Sequence, residues 1–183
     1  METKNLPFIN DVKVQTICYI LSKLNIPSVD KIKLIKLIFL ADKYHLLNYA
    51  RTITDDTYYA MPYGPVGGDT LNLLNKSLEN PFFFLNEENH KVIKREDLCN
   101  FNMLSDTDKI SLDIIIDKFA KYETWDLTNL SHEYPEWKKH KDYVLKKKAR
   151  VALKTEELIS VIPEDGFNIP EERLKILREI INQ

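Results

Sequence analysis

Lys33-Leu34-Ile35-Lys36-Leu37-Ile38-Phe39-Leu40-Ala41-Asp42-Lys43-Tyr44-His45 is apolar on too many sides to lie on a protein surface. Ile32, Ile35, Ile38 and Phe39 recur at helical spacing and mark one face. Leu34, Leu37, Leu40 and Ala41 widen that face until little polar surface remains. A helix of this kind is central, with neighbours on more than one side. Its expected N-cap is Ser28, and it runs to about Ala50. Lys33, Lys36, Asp42 and Lys43 interrupt the apolar run, which excludes a membrane span. Asp42 either salt-bridges locally or makes a buried contact to the turn that follows.

On the amino-terminal side, residues 11–24 form an amphipathic helix through Val14, Ile17, Cys18, Leu21 and Leu24, ending before Pro27. On the other side come a loop (51–56), a β-prone segment (57–61) and a stiff turn (62–68). Three of the four glycines, Gly64, Gly67 and Gly68, concentrate in that turn. Residues 69–79 resume a helical pattern. Residues 81–85 and 91–94 read as a hairpin across Asn86 to His90, joining residues 57–61 in one small antiparallel sheet. Ser105 and Asp108 resemble a capping box before a helix carrying Ile110, Ile114, Ile115 and Phe119. Thr124 is the expected cap of a shorter helix with Trp125, Leu127 and Leu130, and Pro135 breaks or restarts the chain. A basic helical stretch (136–150), a linker (163–170) and a last helix (171–181) follow. The fold class is mainly α (α+β), a compact helical domain with a small antiparallel sheet or hairpin.

A chain of 183 residues is one domain, or one domain with an extension. Its net charge of −2 provides no global field toward nucleic acid or membrane. Cys18 and Cys99 lie far apart and in no metal-ligand spacing, so they read as two reduced core thiols, and no metal or cofactor is expected. The amino terminus has neither the apolar core nor the cleavage site of a signal peptide, and a cytoplasmic protein is expected.

Three constellations carry possible function. The Tyr63-Gly64-Pro65-Val66 turn either presents a stiff aromatic surface to a partner or fixes a strand-to-helix connection. His132, in Leu130-Ser131-His132-Glu133-Tyr134-Pro135-Glu136-Trp137, invites a hydrolase reading with Glu133 or Asp42. HisGluTyrProGlu lacks the second histidine of a metal-binding HExxH, however, and the blander reading has His132 bonded to a nearby backbone with Trp137 packed over it. The run from Lys138 to Arg150 holds seven basic residues and one acid, either a solvated helix face or a phosphate-binding patch. With only Tyr143 interleaved, nucleic-acid stacking has little support.

Taken in order, these pieces resemble the Panacea domain, also called the SocA-like antitoxin domain. The resemblance rests on Lys33 to His45, on Ile53-Thr54-Asp55-Asp56-Thr57-Tyr58-Tyr59-Ala60 followed by Tyr63-Gly64-Pro65-Val66, and on Leu130 to Trp137. It places the domain at residues 1–150, with 151–183 as a helical extension packed on it. It implies an antitoxin that neutralises a cognate protein toxin by direct binding. One branch of that family instead hands its toxin to a AAA+ protease, and phage and prophage members are common. The chain differs from part of the family in lacking a separate helix-turn-helix domain, which argues against self-repression of an operon. The residues to test for partner binding are Tyr63, Gly64, Pro65, Val66, Lys36 and Tyr44. Asp42, His132, Pro135 and Trp137 are the structural members of the motif. No residue is assigned to catalysis. A homo-oligomer remains open.

Overall fold

In the computed structural model, which describes residues 10–95 and 99–181, the central helix is capped by Asp30 rather than Ser28. The amino-terminal segment considered above for a leader lies outside the described residues. Ser28 and Asp30 are both good capping residues, and pairing decides between them. Ser28–Asp30 (β1) lies antiparallel to Lys91–Lys94 (β5), with Val29 opposite Val92. The helix therefore starts only at Lys31, and the Asp30 carboxylate accepts from the Ile32 and Lys33 amides. This helix, α2 (Lys31–Tyr49), follows α1 (Val12–Leu24), which Asp11 caps. Every α2 residue from Leu34 to Lys43 is buried, as the apolar run requires. Each large apolar side chain so buried contributes about 1.5–3 kcal/mol.

Residues 62–68 are not a free turn. Tyr58–Met61 (β2) and Gly64–Gly67 (β3) form a hairpin around Pro62-Tyr63, with Ala60 opposite Pro65 and Tyr59 opposite Val66. Proline is tolerated there because β3 is an edge strand. Gly64 has φ +97°, and a side chain on it would collide with Ser131 Oγ and Lys36 Nζ. Gly68–Asn75 (α3) follows directly.

The single sheet expected from sequence is two. Phe83–Asn86 (β4) pairs with β5, and β1 completes that sheet in the order β1-β5-β4. The other has the order β3-β2-β6, where β6 is Val151–Ala152. Isolated strand patterns do not choose partners, and the strand just before α2 claimed the β4–β5 hairpin.

The remaining helices are α4 (Asp106–Phe119), α5 (Thr124–Glu133), α6 (Pro135–Lys138), α7 (Lys141–Lys147) and α8 (Glu171–Ile181). The Ser105–Asp108 capping box on α4 is present. The buried face of α4 is Leu112, Ile115, Ile116 and Phe119, which leaves Ile110 and Ile114 exposed. The N-cap of α5 is Glu123, one residue earlier than expected, its amide bonded to Asp126 at 3.1 Å. Pro135 restarts the chain as the first residue of α6. The architecture is mainly α with a small β component, wrapped around α2. The neighbouring Cys99 thiol, with burial, pushes the Cys18 thiol up. Among the described residues no helix is long and apolar enough to cross a membrane, and no group of three His, Cys, Asp or Glu is placed to hold a metal ion.

Candidate partner-binding cleft

The central helix buries four polar side chains, Lys36, Asp42, Lys43 and His45. Buried charge is costly unless it is paired or hydrogen-bonded, so the partners of these four show what α2 organises.

Asp42 resolves in favour of a buried contact. Its carboxylate accepts from the Ile53 and Thr54 amides (2.8 and 3.0 Å), the Tyr58 hydroxyl (2.7 Å) and the Thr54 hydroxyl. Burial pushes the carboxyl up to about 6, against these four donors, which pull it down. The contact reaches the loop before β2 rather than the Tyr63 turn, and it fixes where the β2–β3 hairpin begins.

Lys43 is the tie that sequence reasoning did not find. Its ammonium donates to Glu136 (2.6 Å), the Leu158 carbonyl (2.7 Å) and Ser160 (2.9 Å), and it sits 4.2 Å from the centre of the Tyr134 ring. Tyr134 in turn donates to the buried Asp165 at 3.0 Å. The Tyr134-Pro135-Glu136-Trp137 element thereby joins α2 to the carboxy-terminal segment.

His45 lies 2.9 Å through Nδ1 from Ser111 Oγ and 3.2 Å through Nε2 from Asp108. A Ser–His–Asp order invites a catalytic reading, but the ring nitrogens are reversed relative to a hydrolase triad and the serine is fully buried. Asp108 is engaged by Arg51 at 2.7 Å. Burial holds His45 down at about 4, so the imidazole is neutral and the group ties α2 to α4.

His132 and Trp137 stack with ring centroids 3.6 Å apart and planes 9° apart. Trp137 Nε1 donates to the Met61 carbonyl at 2.8 Å, which anchors the hairpin turn. Burial, with Lys36 and Lys141 nearby, lowers His132 to about 4. The backbone hydrogen bond expected of His132 is not formed at Nε2, which is buried without a partner among the described residues. Glu133 pairs with Lys138 at 2.7 Å and Asp42 is engaged by its loop, so neither side chain forms a dyad with His132.

Lys36 differs from the other three. Its residue is 1% exposed, its ammonium donates to the Pro65 carbonyl at 2.9 Å, and no carboxylate among the described residues pairs with it. Burial lowers its pKa to about 7. An amine of 10.5 when unfolded and about 7 when folded binds fewer protons in the native state between those values. Stability from this group is therefore fully present above about pH 10.5 and is lost as pH falls toward 7, by at most about 1.4 kcal/mol per pH unit. Urea midpoints from pH 7 to 9 are expected to rise more steeply for the native protein than for Lys36→Met. Equal slopes would remove this account of Lys36.

Lys36 also lines a cleft of about 580 Å³ between the start of α2, the β2–β3 hairpin, α3 and α5. Ile32, Ile35, Met61, Val66 and Leu71 form apolar wall. Tyr63 and Trp125 stand at the cleft, 55% and 59% exposed, with rings edge to face 5.9 Å apart. Of the residues singled out from sequence, Lys36, Tyr63 and Val66 line this cleft, and Gly64 and Pro65 are buried in its β3 wall. Tyr44 is not among the lining residues and packs edge to face on Phe167. Trp125 was missed as a surface residue. Its one available signal was that it falls out of phase with Leu127 and Leu130 on α5.

The family model described as antitoxin SocA-like, Panacea domain, matches residues 34–138. Searches of curated proteins and of solved structures found no match. The matched region contains the Asp42 loop contact, both partners of the Lys43–Glu136 pair, the β2–β3 hairpin, and Tyr63 and Trp125 of the cleft. The chain belongs to the SocA-like antitoxin family and carries its Panacea domain.

Proposed function

We propose that the chain is the antitoxin of a toxin–antitoxin pair, acts in the cytoplasm, and neutralises a cognate protein toxin by binding it directly. The observation that supports this is the cleft beside Tyr63 and Trp125. Two exposed aromatic side chains, edge to face beside an apolar concavity, are the composition of an interface hot spot. Asp42, Glu136 and Trp137 of the motif are engaged in holding elements together, which supports adhesion rather than catalysis as the chemistry offered outward.

The test is co-expression with the product of the adjacent reading frame, scored by growth and by co-purification. The native chain is expected to restore growth. Tyr63→Ala with Trp125→Ala is expected to lower affinity by about 30-fold, corresponding to a hot-spot loss of about 2 kcal/mol, while leaving the unfolding transition in place. Unchanged rescue and affinity in that variant would remove the cleft from the reading. A toxin whose half-life collapses only when this chain is present would replace neutralisation with delivery to a protease.

A further inference from the structure

The charges around the cleft are one-sided. Among the described residues Lys31, Lys36 and Lys148 line it, against a single carboxylate, Asp30. Asp30 is committed to capping α2 through the Ile32 and Lys33 amides. The chain as a whole is net negative at −2, so this basic character is local and does not follow from composition. Lys36 sharpens the point. When protonated, this buried amine has one carbonyl acceptor and no counter-ion among the described residues, which destabilises the free protein. Its neighbours do not relieve it: Gly64 and Ser131 are neutral, and His132 on α5 is itself held neutral. A carboxylate in the cleft would favour the charged form of this enclosed amine across the β3 wall, without touching it.

We propose that the cleft receives a segment of the protein toxin in which acidic side chains alternate with large apolar ones, the apolar groups packing on Met61, Val66, Leu71 and Trp125 and the carboxylates pairing with Lys31 and Lys148. This rests on the antitoxin reading and adds the chemistry of the bound segment. Apolar wall sets the affinity, and the lysines set which segments are accepted, because a carboxylate gains from Lys31 and Lys148 a counter-charge that an uncharged segment does not.

The experiment uses the full chain and two short capped peptides, one of leucine, phenylalanine and glutamate, the other with glutamine at every glutamate. Binding is read from Trp125 fluorescence and from the side-chain NMR signals of labelled lysine. The glutamate peptide is expected to bind at least about tenfold more tightly at low salt, with the preference shrinking as salt rises, and to shift the Lys36 signal. Lys31→Glu with Lys148→Glu changes two side chains outside the core and is expected to abolish the preference without altering the unfolding transition. Lys36→Met is expected to reduce it severalfold. Equal binding of the two peptides, binding of neither, or a preference that survives both variants would overturn the proposal. Growth rescue separates this from the antitoxin reading. If the native chain and the Lys31→Glu, Lys148→Glu variant rescue equally, the acidic segment is wrong and the antitoxin stands. If the native chain rescues no adjacent toxin, the antitoxin reading fails whatever the peptides do.

Discussion

Glu136→Ala is expected to cost about 3–5 kcal/mol and to move the urea midpoint far below that of the native protein. Both side chains of the Lys43–Glu136 pair are 0% exposed, so truncating the acid leaves a buried ammonium without its counter-ion. It also removes the acceptor of the Ser160 hydroxyl, 2.7 Å from the second Glu136 oxygen. The Leu158 carbonyl and Ser160 oxygen remain near Lys43, which keeps the loss at the lower end of that range. Burial lowers the Lys43 pKa while Glu136 raises it, so without Glu136 the amine should shed its proton more readily, and the deficit should narrow as pH rises. Lys43→Met combined with Glu136→Leu should recover most of the loss, because a buried pair replaced by apolar groups of similar volume is close to neutral. A single Glu136→Ala variant within about 1 kcal/mol of the native protein would show that the pair is not desolvated as described.

Asp42→Ala is expected to lose about 4 kcal/mol, measured by the same urea titration. It strips the acceptor from two buried amides and two buried hydroxyls at once. Each orphaned buried group costs about 1–3 kcal/mol, and the total falls short of the full sum because the 51–57 loop can relax toward water. Asp42→Asn should be only partly better, since its amide nitrogen would face donors. The loss should also reach function. β2 is launched from this loop, and Met61 at its end lines the cleft, so partner affinity should fall even under conditions where the variant remains folded. A folded Asp42→Ala protein with native affinity would separate the loop from the cleft.

The readings from sequence succeeded where the signal was local. The apolar run from Lys33 to His45 specified a buried central helix, the Ser105–Asp108 spacing specified a cap, and Pro135 specified a helix restart. Each follows from periodicity or from a side chain bonding its own backbone a few residues away. Where two local signals competed, the long-range pairing settled the matter. Ser28 and Asp30 cap equally well in isolation, and only the β1–β5 pairing makes Asp30 the cap. Residues 62–68 looked like a turn because glycine and proline are dense there, and only the β2 backbone shows that half of them form a strand.

The candidate site divides along the same line. By itself the sequence determined that α2 is buried, and its resemblance to the SocA-like antitoxin family is met by the family model over residues 34–138. Only the tertiary structure decided that Lys43 meets Glu136 across 93 residues, that Lys36 meets no acid among the described residues, and that Tyr63 and Trp125 share a cleft. The reason is physical. A helix periodicity records which positions leave water, but a polar side chain on a helix buried all round has no local partner, so its pairing exists only once distant elements have docked against it.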